Sequence, residues 1–210
     1  IDKVYGQPDY YDIAFSNRNI PAEVEFLTRL APDARHFLEI ASGNSPHMKE
    51  ILTRGLRYTG VELSPEMIDY ARKSIPPGTQ PELLQGDLRD FEVPEPCDFA
   101  FLMVCSLFVT DNAELDSHFD AVARALKPGG LYLLDDCVHF RLPEGEASWA
   151  VSRRGVRVTA HLYWTFDWVR QAFSERLVLD VNDRGRQVRC EDASRRRALF
   201  AQEFLNYIAA

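Results

Sequence analysis

The sequence predicts an α/β fold, a doubly wound and mostly parallel sheet with an antiparallel β insert after its fifth strand, and three observations carry that prediction. Between Arg35 and Leu63 a strand, a small-residue loop, a helix and a second strand ending in an acid follow one another. The run Phe99-Ala-Phe-Leu-Met-Val104 is apolar throughout, as suits a strand buried on both faces. Beyond Arg141 the apolar period becomes two, the signal of half-buried strands.

In the first of these stretches His36, Phe37, Leu38 and Ile40 form an apolar run that ends in Ala41-Ser42-Gly43-Asn44-Ser45. A run bounded by turn residues reads as a strand and a loop. A helix is expected next, with Ser45 as N-cap, Pro46 where a missing N–H costs nothing, and Gly55 closing the far end. Tyr58-Thr-Gly-Val61 then leads to Glu62, 19 residues beyond Gly43, and Ser64-Pro65-Glu66 starts another helix. Strand, loop, helix, strand and acid make a nucleotide-binding βαβ unit, with the acid near the spacing of about 20 used for a ribose.

The loop carries one glycine, not the three of the dinucleotide fingerprint, and an acid, Glu39, precedes it. The order Glu39-x-Ala41-x-Gly43-x-Ser45 resembles the first motif, (D/E)-x-G-x-G-x-G, of the Rossmann-like, class I S-adenosylmethionine-dependent methyltransferases. Ala41 and Ser45 stand where that family mostly has Gly; both are small, but neither takes a positive φ as easily. Two further stretches are similar to the family. Gly86-Asp87-Leu88 follows a strand over Glu82 to Gln85 and matches its G-D-(M/L/A) signature, and Lys127-Pro128-Gly129-Gly130 matches its turn into the fifth strand.

The resemblance implies S-adenosylmethionine as cofactor. It implies that Glu62 holds the ribose and that Asp87 accepts from the adenine amine, with the Leu88 backbone beside the ring; from the residues alone Asp87 reads equally as a turn residue. Glu39, Ala41, Gly43, Ser45, Leu63, Met67, Met103 and Cys105 complete the implied set. In the family a helix near the N-terminus lids the cofactor, so Tyr11 and Arg18 are candidates to reach the methionine end, Arg because its fork suits a carboxylate. A packing tyrosine and a surface arginine is the plainer reading.

The chain continues the alternation. Asn19, Pro21 and the spacing Val24, Leu27, Leu30, Ala31 predict an amphipathic helix before the first strand. Helices are expected over 64–73 and 112–126, the second ending at the proline and glycines that precede a fifth strand over Leu131 to Asp136. Val156, Val158, Ala160, Leu162 and Trp164 alternate with polar residues, as do Leu177, Leu179 and Val181, and Asn182-Asp-Arg-Gly185 is a hairpin turn. Leu199 to Ala209 reads as a helix. The expected division is residues 1–140 with 199–210 as the cofactor-binding domain, and 141–198 as an insert that is not an independent domain.

In the family's small-molecule branch, which includes N-methyltransferases of glycine and of nucleotide-linked amino sugars, similar inserts shape the acceptor pocket or the subunit contact of a homodimer. The resemblance therefore implies methyl transfer to a small molecule, an amine first; a hydroxylated acceptor, or a silent protein that only binds the donor, stand as alternatives. Residues able to act as a base lie where the fifth strand meets the insert: His139 first, then Asp135 and Asp136. His161, Tyr163, Trp164 and Trp168 are candidates for the acceptor side, or for sheet packing. The family's sheet has two further strands after the last helix, so a tail beyond Ala210 is expected, since an uncovered edge invites aggregation. The opening without Met points to a trimmed N-terminus.

Composition narrows the field. At 210 residues with 46% hydrophobic content the chain can bury a sizeable core. No apolar stretch approaches a membrane span and no signal peptide is evident. Cys97, Cys105, Cys137 and Cys190 show no C-x-x-C spacing, so no metal is expected and a reducing cytoplasm is the default. The net charge of −8 argues against nucleic acid as partner, and Arg195-Arg196-Arg197 reads as a solvated run. A nicotinamide oxidoreductase would share the βαβ unit and Glu62 but not this loop.

Overall fold

The computed structural model describes residues 3–140 and 145–209. After a 3-10 turn at Val4–Gly6 come α1 (Pro8–Ala14), α2 (Ile20–Leu30), β1 (His36–Ile40), α3 (Met48–Thr53), β2 (Arg57–Glu62), α4 (Pro65–Arg72), β3 (Glu82–Gln85), β4 (Cys97–Leu102) and α5 (Asn112–Ala125). Then follow β5 (Leu126–Leu134), β6 (Val138–His139), β7 (Gly145–Arg153), β8 (Val156–Asp167), β9 (Ala172–Asp183), β10 (Arg186–Arg197), β11 (Leu199–Phe200) and α6 (Ala201–Ala209). The chain folds into two compact units, Asn19–Cys137 and the combination of Ile1–Arg18 with Val138–Ala210.

The unit Asn19–Cys137 is built on a five-stranded sheet in the order β3-β2-β1-β4-β5, with every pairing parallel. Parallel neighbours need crossover helices, which is why short apolar runs alternate here with amphipathic stretches. On one face Phe37, Tyr58, Phe99 and Phe101 pack against Val24 and Leu27 of α2 and Met48 and Ile51 of α3. Local signals set the ends of the helices. The Asn19 side chain accepts from the Ala22 N–H, Ser64 Oγ from the Met67 N–H and Asp111 from the Glu114 N–H, each at the start of a helix. Gly55, in the left-handed region, ends α3: its N–H donates to Leu52 and that of Leu56 to Ile51, a Schellman closure.

Four boundaries differ from expectation. Ser45 is not the cap of α3, because it too is left-handed (φ 51°) and the helix opens two residues later, after His47. β4 stops at Leu102, since Val104 and Cys105 turn into the left-handed region. β5 begins at Leu126, with Lys127-Pro128-Gly129-Gly130 forming an irregularity inside the strand: the register slips between Cys97 and Phe99, and Gly129 has φ 81°. The predicted last helix begins at Ala201, because Leu199 and Phe200 pair with Val138 and His139 as a two-stranded parallel ladder.

The other unit is organised by the antiparallel sheet β10-β9-β8-β7. Val158, Ala160, Leu177, Leu179, Val181 and Cys190 share one face, which the alternation predicts, and Val4, Tyr10, Tyr11, Ile13, Ala14 and Phe15 pack on it. Polar contacts fix the pairing: the Val4 N–H donates to Asp192 (2.7 Å), Trp149 Nε1 to the Ala14 carbonyl (2.7 Å) and the Tyr10 hydroxyl to Asp183 (3.2 Å). The opening residues thus join the insert and give it a core, whereas the sequence grouped them with the cofactor-binding residues. Among the described residues no helix is long and apolar enough to cross a membrane.

Candidate functional site

In an open parallel sheet the ligand crevice lies at the carboxyl ends of the strands where the winding reverses. Here β1 and β4 are neighbours while β2 and β3 lie on the other side of β1, so the reversal falls between β1 and β4. The loops after β1, β2, β3, β4 and β5 meet at that edge. They carry eight of the thirteen predicted cofactor residues, Ala41, Gly43, Ser45, Leu63, Asp87, Leu88, Met103 and Cys105, and the two aspartates after β5, while Glu39 lies in β1, Glu62 ends β2 and Met67 lies in α4.

The loop after β1 is wound tightly. Ala41 (φ 53°), Gly43 (φ 54°) and Ser45 (φ 51°) all adopt the left-handed region, the three positions at which the family that the motif resembles mostly has Gly. A Cβ on Gly43 would meet nothing within 4 Å, so the space beside its backbone is open to a ligand. The Ser42 N–H donates to Val61 (3.0 Å) and the Ser45 N–H to Ser42 (2.7 Å). Gly60 lies beneath: a Cβ there would stand 3.0 Å from Ser42 Oγ and 3.1 Å from the Tyr58 hydroxyl, so glycine in β2 is what lets the loop settle.

Left-handed backbone costs an L-residue about 1–2 kcal/mol. Ala41→Gly removes that strain and adds about 0.4–1 kcal/mol of unfolded-state entropy. The expected result is a net stabilisation of roughly 0.5–1 kcal/mol, read as a higher denaturant midpoint at unchanged slope.

Glu62 joins two loops. Its carboxylate accepts from the Gly43 N–H (2.7 Å) on one oxygen and the Ser64 N–H (2.8 Å) on the other, with the Leu63 N–H a further donor beside it. Burial raises its carboxyl above the usual carboxylate range, opposed by the backbone bonds from Ser64, Gly43 and Leu63. Leu63 beside it is 61% exposed, whereas Met67 is buried in the core.

Three predicted residues are engaged otherwise than expected. Glu39 is 3% exposed and lies on the α2–α3 face of the sheet. Its oxygens lie 2.7 Å from His47 Nδ1 and 2.6 Å from the Tyr58 hydroxyl, so it supports the loop from below instead of facing the crevice. Asp87 accepts from both the backbone and the guanidinium of Arg89, which holds its carboxyl below the usual range. Arg89 also donates to Glu114 at the start of α5 (2.7 Å), so the turn after β3 is tied to that helix. Asp135 accepts from the Val104 N–H (2.9 Å) through its side chain and from the Cys105 N–H (3.1 Å) through its carbonyl, pinning two left-handed residues in succession. Asp136 is itself left-handed (φ 56°).

The remaining predicted residues belong to the unit that contains the insert. Tyr11 lies between Tyr5 (ring centroids 5.7 Å) and Phe15 (4.6 Å), its ring tilted to both, against the antiparallel sheet, and Arg18 follows α1 in the same unit. His139 is buried in β6 with its ring 5.8 Å from that of Phe173. His161 and Tyr163 stack on one face of β8, with Arg176 over the Tyr163 ring (4.3 Å) and Asp180 3.5 Å from His161. Trp164 points to the opposite face, where Nε1 donates to Glu175 (3.0 Å), and Trp168 stands exposed at the hairpin tip against Phe166. Strand alternation therefore separates the predicted acceptor-side group.

Two residues that the sequence did not single out matter here. His118 is fully buried, with Nδ1 2.7 Å from the Leu88 carbonyl and Nε2 2.8 Å from the Tyr132 hydroxyl, and burial lowers its pKa. Its position on the apolar stripe Leu115, His118, Val122 of α5 is the signal that was available. His47, also fully buried, has none beyond the turn residues around it.

Residues 37–130 match the family described as "Methyltransferase domain". The chain is similar to the dTDP-3-amino-3,4,6-trideoxy-alpha-D-glucopyranose N,N-dimethyltransferase of Streptomyces venezuelae, 29% identical over 134 residues that cover 60% of this chain and 55% of the relative. It is also similar to the dTDP-4-amino-2,3,4,6-tetradeoxy-D-glucose N,N-dimethyltransferase of Saccharopolyspora spinosa, 27% identical over 162 residues, 73% of this chain and 64% of the relative. It thus spans less than two thirds of either relative's length. The crystal structure of DesVI from Streptomyces venezuelae superposes with a TM-score of 0.81 at 23% identity, covering 96% of this chain and 87% of that one. Residues 37–130 thus carry the match to a methyltransferase domain, and in sheet order, loop and overall superposition the chain resembles the class I, Rossmann-like S-adenosylmethionine-dependent methyltransferases, the sugar N-methyltransferases among them.

Proposed function

We propose that this chain transfers a methyl group from S-adenosylmethionine to an amine of a small molecule. The observation that carries the reading is the left-handed Ala41–Ser45 loop bonded through the Gly43 N–H to Glu62, with open space beside Gly43. That arrangement suits a nucleoside: the glycine admits a close approach, and a carboxylate at the end of β2 suits ribose hydroxyls. The adenine would lie toward Asp87 and Leu88. Asp87, already bound by Arg89, would offer it only what acceptor capacity Arg89 leaves.

When bound, the donor supplies an electrophilic methyl group on a sulfonium. The chain's own contribution is to hold donor and nucleophile in line, which can supply about 7–11 kcal/mol of the barrier. An amine that arrives neutral brings its own lone pair, so the step needs no base from the protein, and the ammonium product loses its proton afterwards. A hydroxyl acceptor would need a base within reach. The N,N-dimethyltransferases among the relatives favour the amine.

The test is calorimetry with S-adenosylhomocysteine and NAD in parallel, then a screen of small amines, including amino sugars linked to nucleoside diphosphates, for formation of S-adenosylhomocysteine. Binding of S-adenosylhomocysteine alone, with turnover on an amine, is the expected result. Binding of NAD alone, or turnover only on hydroxylated acceptors, would overturn it.

A further inference from the structure

The strained loop needs something to hold it. Ala41 and Ser45 carry Cβ atoms in a backbone region that disfavours them, so the free chain would drift toward commoner conformations. His47 follows Ser45 by two residues and is fully buried. Its Nδ1 lies 2.7 Å from Glu39 of β1 and its Nε2 2.9 Å from Glu23 of α2. The second oxygen of Glu39 accepts from the Tyr58 hydroxyl of β2. From β4 the apolar ring of Phe101 meets the imidazole edge-on, ring centroids 5.3 Å apart. Of the adjacent charged residues on α3, Lys49 is exposed and Glu50 half-buried.

A neutral imidazole has one donor and one acceptor, and an acceptor nitrogen turned to a carboxylate would set lone pair against lone pair. With a carboxylate at hydrogen-bond distance on each side, both ring nitrogens donate. We propose that His47 is a positioning residue for the donor: held as an imidazolium between Glu23 and Glu39, it keeps residues 41–45 in the shape that admits the nucleoside. The inference rests on the reading of this loop as the S-adenosylmethionine site.

If His47 selects the competent loop, its loss lowers the fraction of molecules ready to bind, and the apparent dissociation constant rises by that factor. Once donor is bound the loop is in place, so the effect falls on donor KM while kcat at saturating donor stays close to that of the parent. His47→Gln offers one donor and one acceptor to two carboxylates, a mismatch. It should weaken S-adenosylhomocysteine binding by about tenfold or more. Adding Glu23→Gln restores the match, because the amide oxygen introduced at position 47 can accept from the amide N–H introduced at position 23, while the amide N–H at position 47 donates to Glu39. The double variant should recover most of the lost affinity, a rescue that mere loss of packing would not give.

The complementary measurement is nitrogen-15 NMR of the His47 ring in the intact protein. Both nitrogens should carry protons at pH 8, above the ordinary histidine value of about 6.5, and in Glu23→Gln the Nε2 proton should be lost. This arm reads His47 even where His47→Gln fails to fold. A bare ring nitrogen at pH 8 in the parent, parent-like affinity in folded His47→Gln, or no rescue in the double variant overturns the proposal. If the NMR arm succeeds while the parent binds no S-adenosylhomocysteine, it is the reading of the site as a donor site that fails, and the positioning role falls with it.

Discussion

Glu62→Ala is expected to weaken S-adenosylhomocysteine binding by about 30- to 150-fold. Charge-assisted bonds from ribose hydroxyls are worth roughly 2–3 kcal/mol, and each 1.4 kcal/mol is about a factor of ten. The substitution also strips the Gly43 and Ser64 N–H groups of their acceptor, so the loops after β1 and β2 lose their common anchor and the larger figure is favoured. Calorimetry on a variant with a parent-like circular dichroism spectrum checks this, and unchanged affinity would remove the ribose assignment. The pH profile gives a second handle. Burial raises the Glu62 carboxyl, so on acidification it takes up its proton before an exposed glutamate does. Protonation turns one of its oxygens from acceptor to donor. Affinity should therefore fall toward acid pH, with the fall starting above the usual carboxylate range, while the Glu62→Gln profile stays flat through that window. Folding follows the opposite sign: with the folded pKa above the unfolded one, the charged form costs stability, and the cost appears as pH rises through that interval.

What could be read from the sequence was what local chemistry decides. Asn19 and Ser64 announce their helices because caps act over three residues, Gly55 ends α3 because only a left-handed residue closes that turn, and the spacing from Gly43 to Glu62 follows from one helix between two strands. The direction of Glu39 could not be read this way: β1 is buried on both faces, so its pattern names no face, and the partner that decides, His47, lies beyond a loop of unusual backbone. The division of the chain was hidden for a different reason. α1 is short and its aromatic residues would suit many surfaces, whereas the bonds that place it join residues far apart in sequence, Val4 to Asp192 and Trp149 to Ala14. Strand β7 shows the same period of two, Ala147, Trp149 and Val151 half-buried against exposed Glu146, Ser148 and Ser152, and its pairing with β8 is what fixes it in the sheet. The acceptor-side group was chosen by residue type, and a period of two then puts Tyr163 and Trp164 on opposite faces.

Asp135 decides between two chemistries for one side chain. As a candidate base it would have to remain free to take a proton; in the structure its carboxylate is bonded to the Val104 N–H, and Val104 and Cys105 are both left-handed. A β-branched residue rarely adopts that region, and such strain persists only where the surroundings enforce it. Asp135→Ala removes a charge-assisted bond worth about 1.5–3 kcal/mol and frees the loop after β4 to relax at the edge where donor and acceptor must meet. The expected result is a fall in kcat/KM of about 10- to 150-fold. Asp135→Asn separates support from catalysis, since an amide oxygen still accepts from the Val104 N–H but cannot take up a proton at neutral pH. If Asp135 holds the loop, the Asn variant keeps turnover within a few-fold of the parent and its pH profile is unchanged. If Asp135 is the base, Asn is as damaging as Ala, and the acidic limb of the profile, which reports a base that must be deprotonated, is lost with it.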